Sequence, residues 1–241
     1  MMRLVGVFAI ALWPVLAAGE VVRPAADRAR EPAKIPFSDE SLHYSINWPS
    51  GLSVGEAQMQ ASRSQARWSF AFSVDAAFPG ASAMDSYHSL AAGDFCSAEF
   101  TKQSTHGKRK AFEKTVFDSR NGTATRETLD GGGSSRMEVS NCARDALTFL
   151  FYLRHELADG RLPRPQTVYF GAPYQVRLEF GGEQTVRVND QPAVAERVMA
   201  AVKGPSSDAT IEMFFATDAA RTPLLVRVPL AAGRFSLELE R

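Results

Sequence analysis

From Leu42 to Leu239 the sequence keeps returning to one pattern, an apolar side chain at every second position. The clearest case is Trp68, Phe70, Phe72, Val74, Ala76 and Phe78, with Ser69, Ser73 and Asp75 on the alternate positions. A period of two places one set on each face of a β-strand, so one face is buried and the other wet. Strands of that kind belong to antiparallel sheets. Shorter runs of the same type recur along the chain, beginning with Leu42, Tyr44, Ile46 and Trp48. Turn signals separate them, among them Pro49-Ser50-Gly51, His106-Gly107-Lys108 and Asn121-Gly122. Asn-Gly between alternating runs is a strong hairpin signal. After residue 162 the strands expected are Thr167–Phe170, Gln175–Phe180, Thr185–Val188, Ala193–Val202, Ala209–Ala216, Leu224–Leu230 and Arg234–Leu239.

One stretch breaks the alternation. At 100° per residue, Ala143, Ala146, Leu147, Phe149, Leu150, Phe151, Leu153, Leu157 and Ala158 fall in a single arc of roughly 200°, wider than a surface helix shows. This predicts a helix over about 142–158, with Asn141 as its N-cap and Gly160 just past its end. A helix so broadly apolar needs a concave partner. The fold class expected is therefore mainly β: a strongly curved antiparallel sheet, half-barrel or barrel, wrapped around one central helix that fills its concavity. Arg154 is the one charge inside the apolar arc. Its stem either snorkels to water or its guanidinium is buried, in which case it needs a carboxylate. Glu56 and Asp218 are the candidate partners, and the three residues are the candidate ligand-binding set.

The N-terminus carries a different kind of information. Met1-Met2-Arg3, the apolar run Leu4–Leu16 and the small residues Ala17-Ala18-Gly19 have the layout of a cleaved secretory signal. The run falls short of the roughly 20 apolar residues that span a bilayer. Residues 1–19 are thus expected to be a signal peptide, and 20–38, with Pro24, Pro32 and Pro36, a flexible linker. A single β-rich domain over 39–241 follows. The expected location is exported, periplasmic or extracellular, with no transmembrane segment in the mature protein. In such a compartment Cys96 and Cys142, the only cysteines, are disulfide candidates. Pairing would contribute about 4 kcal/mol by chain entropy. Two separate buried thiols are the alternative, since Cβ geometry is not readable from spacing.

Three segments together resemble a known family. They are Leu42-x-Tyr44-x-Ile46-x-Trp48 followed by Gly51-Leu52-x-Val54-Gly55-Glu56-Ala57, then Asp145-Ala146-Leu147 with Tyr152-Leu153-Arg154. The third is Phe214-Phe215-x-x-Asp218-x-x-Arg221-x-Pro223-Leu224, ending in Gly233-x-Phe235-x-x-x-Leu239. Their order and spacing are similar to those of domain-of-unknown-function family 3108 (DUF3108), with a second Phe at Phe214-Phe215 where the family often has Trp. The resemblance implies an exported, single-domain β protein of the cell envelope, and it brings no catalytic residues with it.

Catalytic and cofactor motifs are not found. The chain has no nucleophile elbow, zinc-helix pair, Walker loop or dinucleotide fingerprint. His43, His88, His106 and His155 are scattered, and no metal or cofactor is expected. With 27 basic and 27 acidic side chains the chain lacks the excess positive charge of a nucleic-acid binder. Lys102, Lys108, Arg109, Lys110 and Lys114 form one basic cluster at an expected hairpin tip, a solvated edge or a contact for polyanions. The leading function is a non-enzymatic module that binds a hydrophobic ligand, such as a lipid, or an envelope partner. Two others stand beside it: an assembly protein acting through a sheet edge, and a hydrolase with a dispersed site around His43, His88 or His155. The helix weighs against the ligand carrier, because a helix that fills the concavity takes the room a lipid needs.

Overall fold

The computed structural model describes residue 37 and residues 39–240, apart from 79, 130, 206, 231 and 232. The expected signal peptide, 1–19, and all of the linker except Phe37 lie outside the described residues. Everything below belongs to one compact unit, Ile35–Arg241.

The first half of the chain is a run of eight strands: β1 (Glu40–Asn47), β2 (Ser53–Ser64), β3 (Arg67–Phe78), β4 (Ala81–Ala92), β5 (Ser97–His106), β6 (Arg109–Asp118), β7 (Thr123–Thr128) and β8 (Ser134–Glu138). A two-residue strand, β9 (Arg144–Asp145), leads directly into α1 (Ala146–Ala158). The second half comprises β10 (Gln166–Tyr169), β11 (Pro173–Val188), β12 (Gln191–Gly204), β13 (Ser207–Ala216), β14 (Pro223–Leu230) and β15 (Gly233–Leu239). All 15 strands form one sheet, in the order β8-β7-β6-β5-β4-β3-β2-β1-β15-β14-β13-β12-β11-β10-β9. It is two meanders joined by the β1–β15 pair, where Tyr44 faces Leu239. Every pairing is antiparallel except β9 with β10.

The sheet is strongly curved and mainly β, as the alternation predicts, and its hydrogen-bond ladder does not close. The β9 end nonetheless returns to the first meander. Only residues 139–143 join β8 to β9, so the edges lie within the reach of five residues. Ser97 N donates to Ala143 O at 2.9 Å, and Arg126 Nη1 on β7 donates to Gly171 O, beyond β10, at 3.0 Å. Cys96 and Cys142 are disulfide-bonded across the same seam, their Cα atoms 4.7 Å apart.

Alternation decides what the curved sheet encloses. Trp68 and Phe70 from β3 are fully buried, and Phe70 stacks on Phe151 of α1 at 4.1 Å. Phe37 joins them, its ring 5.5 Å from Phe151 and 5.7 Å from Trp68. The packed domain therefore begins before residue 39: Phe37, assigned to the linker by sequence, is part of the core. The opposite side of α1, with Phe149, Leu153 and Leu157, packs on Val198, Met213 and Phe215.

Two element boundaries differ from expectation. The helix begins at Ala146, and its N-cap is Asp145 rather than Asn141. The pairing of Arg144–Asp145 with β10 holds those two residues extended, so the helix cannot begin before Ala146. Gly160, at φ +72°, ends the helix where expected. The strands expected at Gln175–Phe180 and Thr185–Val188 are one long strand, bent where the register shifts between Phe180 and Glu183. Gly182 takes a φ of +80° at this bulge, a conformation glycine adopts without strain. Beyond the bend, Val186, Val188 and Ala195 pack on Phe214 and Leu225 in a separate small core. Phe214 and Leu225 point away from Met213 and Val226, so this small core covers the other face of the sheet.

Candidate functional site

Between α1 and the curved sheet lies a cavity of about 560 Å³. Ala146, Leu147, Phe149, Leu150 and Leu153 form its helical wall. Met59, Phe72, Tyr87 and Phe100 come from β2–β5, and Val176, Ala200, Met213, Val226 and Leu237 from the other meander. Phe72, Tyr87, Phe170 and Ile211 on its lining are only half-buried, because they face the open space. The expectation that the helix fills the concavity is thus corrected. A 13-residue helix is too small for the space that a 15-stranded sheet encloses. Phe151 on one side and Phe149 and Leu157 on another each reach a wall, and the short side chain of Ala146 and the half-buried Leu150 face the gap.

The polar atoms of the lining are already engaged. Tyr44 donates its hydroxyl to Pro223 O at 3.0 Å. Burial pushes that hydroxyl well above the usual tyrosine range, with Arg154 pulling it down and Glu40 pushing it further up. Burial raises Tyr87 likewise, assisted by the charge of Asp85 and by a hydrogen bond to it. Tyr44 and Tyr87 therefore present rings to the cavity and protonated hydroxyls to the protein.

Arg154 is buried, with none of its surface exposed, and does not reach the cavity. Its Nη1 and Nη2 donate to the two oxygens of Glu40 at 2.6 and 2.9 Å. Nε donates to Ala220 O at 3.1 Å and Arg221 O at 3.2 Å, and the guanidinium lies over the rings of Phe37 and Phe151. The partner is thus Glu40, not Glu56 or Asp218. Glu56 is exposed because it alternates with the inward Ala57. Asp218 accepts from Thr222 N at 3.1 Å and Thr222 Oγ1 at 2.8 Å, and so holds the turn whose carbonyls receive Arg154. One signal for Glu40 was present in the sequence: it continues the inward phase of Leu42, Tyr44 and Ile46.

A second buried charge, Asp145, organises the start of α1. Its Oδ1 accepts from Leu147 N and Thr148 N, both at 2.9 Å, and from Ser89 Oγ at 2.6 Å. Its Oδ2 accepts from Ser97 Oγ at 2.5 Å and Thr148 Oγ1 at 2.8 Å. Burial pushes this carboxyl up, and the Ser89, Ser97 and Thr148 hydrogen bonds pull the other way. Its role is to pin the helix to β4 and β5.

The histidines do not converge. His43 contacts Gln58 at 3.4 Å, His88 contacts Ser69 Oγ at 2.9 Å, His106 pairs with Asp85 at 2.9 Å, and His155 stacks on Phe95. The Ser69–His88 contact has no carboxylate behind it among the described residues. The basic cluster is also divided. Lys108, Arg109 and Lys110 are exposed at the β5–β6 turn, and Lys114 pairs with Glu99 at 2.9 Å. Lys102 lies further from the turn, opposite the inward Tyr87 in register, with Nζ 4.8 Å from the Phe170 ring centroid. No described helix is long and apolar enough to cross a membrane.

Comparison with known proteins agrees with this architecture. The crystal structure of a beta-barrel-like protein of domain of unknown function DUF1849, from Brucella abortus, matches with a TM-score of 0.62. The match covers 86% of this chain and 98% of that one at 9% identity, a likeness of fold. No curated protein sequence matches the chain. The family described as "Protein of unknown function (DUF3108)" matches residues 43–240, which contain the cavity, the disulfide and the Arg154 helix. The chain belongs to the DUF3108 family.

Proposed function

We propose that this is an exported, non-enzymatic envelope protein that holds a hydrophobic ligand between α1 and the sheet. The observation that carries the reading is the cavity itself. At about 560 Å³ it falls within the ~300–1,000 Å³ of small-molecule sites, and its lining is mostly apolar, with the hydroxyls of Tyr44 and Tyr87 turned to protein. Leaving so much apolar lining in contact with water is unfavourable, and a bound apolar molecule covers it. The signal-like residues 1–19 and the disulfide support export. The alternatives have less behind them. A hydrolase needs its histidines gathered in one cleft, and a sheet-edge adaptor needs a long free edge, whereas β8 has five residues and β9 two.

The test is native mass spectrometry of protein purified from its own envelope, beside a variant that fills the space, Ile211→Trp. A retained apolar molecule is expected in the wild type and not in the variant. The wild type is also expected to bind the apolar dye N-phenylnaphthylamine and the variant to lose at least about tenfold of that affinity. A wild type that carries nothing and binds no dye would remove this reading.

A further inference from the structure

The cavity lining carries no charged residue, but charges lie beyond it on one side. By register, the face of β4–β7 that carries Tyr87 and Phe100 also carries Asp85, Lys102, Arg109, Glu113 and Arg126. The wall from the other meander, with Val176, Val202, Ile211 and Val228, brings no charged group to the lining, and Tyr174 is its polar side chain. Most of these charges are engaged with other groups. Arg126 Nη2 donates to Glu113 at 2.7 Å, and Asp85 is held by His106 and the Tyr87 hydroxyl. Lys102 is the exception. Half-buried and directly opposite Tyr87 and Glu113, it has no carboxylate within 4.0 Å among the described residues, and its ammonium rests over Phe170, a ring of the cavity lining. A cation left uncompensated on one side of an apolar opening complements a molecule that is apolar along its length and negative at one end.

We propose that the ligand is a single-chain amphiphile with an anionic headgroup, its hydrocarbon in the cavity and its carboxylate or phosphate on Lys102. This rests on the ligand-binding reading above and narrows it. Arg109, at the β5–β6 turn on the same face, supplies a second positive charge further out.

The test uses the full chain with its disulfide intact, stripped of bound lipid, and displacement of N-phenylnaphthylamine. The competitors are palmitate, lysophosphatidylglycerol and the neutral hexadecanol, each below its micelle concentration. At least one anionic competitor is expected to bind about fivefold tighter than hexadecanol, the upper range for a partly exposed ion pair. Which one does so distinguishes a carboxylate from a phosphate head. Lys102→Gln is expected to abolish the preference and leave hexadecanol affinity unchanged, with Lys102→Arg restoring it and circular dichroism melting unaffected. Equal affinity for all three, or a preference that survives Lys102→Gln, overturns the headgroup assignment and leaves the apolar cavity standing. Failure of all three and of the dye itself removes both.

Discussion

Arg154 sits where a helix wheel puts leucines, and no solvent reaches it. A guanidinium in that position is tolerable only because its donors are directed to a carboxylate and two backbone carbonyls. The two ends of the ion pair are not equivalent, since the Glu40 side chain keeps 15% exposure and Arg154 none. Glu40→Ala strands a buried cation and is expected to cost about 3–5 kcal/mol in urea unfolding. Arg154→Met leaves a carboxylate that can hydrate and is expected to cost clearly less. Equal losses would mean that Glu40 is as cut off from water as its partner. The anomaly of Arg154 was legible in the sequence, and its solution was not. Glu56 and Asp218 attract notice because they lie in recurrent motifs, whereas Glu40 stands at the margin of the first strand. Only the strand phase marks it as inward.

At the scale of elements, the strands were the legible part, because a period of two is written directly into Trp68–Phe78 and its shorter relatives. The helix was legible in its middle and at Gly160 and misplaced at its start. Asn141 is a good cap by residue type, but Asp145 has the better claim once Ser89 and Ser97, about 50 residues earlier, come alongside. Such a long-range partner has no local signature. Asp145→Ala removes the cap and strands buried hydroxyl and amide donors, an expected loss of about 2–4 kcal/mol. Amide exchange at Leu147 and Thr148 reports it: those amides should open well before the core of α1. Asp145→Asn keeps a capping oxygen and is expected to retain most of that protection. If Asp145→Ala leaves the first turn as protected as before, the β9–β10 pairing, not the carboxylate, fixes the helix start.

For the molecule as a whole, the seam where β9 and β10 meet β5 and β7 is the point where curvature becomes enclosure. The disulfide, the Ser97–Ala143 bond and the Arg126–Gly171 bond span it. Replacing both cysteines by alanine is expected to cost up to about 4 kcal/mol, from the entropy of the loop that the bond closes. It should also speed amide exchange along β9 and the start of α1 before any other part of the sheet. Uniform loss across the sheet would show that the bond stabilises globally and does not hold this seam in particular. The enclosure explains why the cavity could not be read from the chain. A wheel gives the apolar width of a helix and says nothing of how far away the facing wall will stand.

The central β1–β15 pair has a consequence in time. Thirteen of the 14 strand pairings join strands that are consecutive in sequence, so each meander can assemble largely from local contacts. The pairing of Tyr44 with Leu239 instead closes nearly the whole length of the domain. Loop closure of that span is the slow step by contact order, so the ligand chamber, walled by both meanders, comes into being only when the last and most distant join is made.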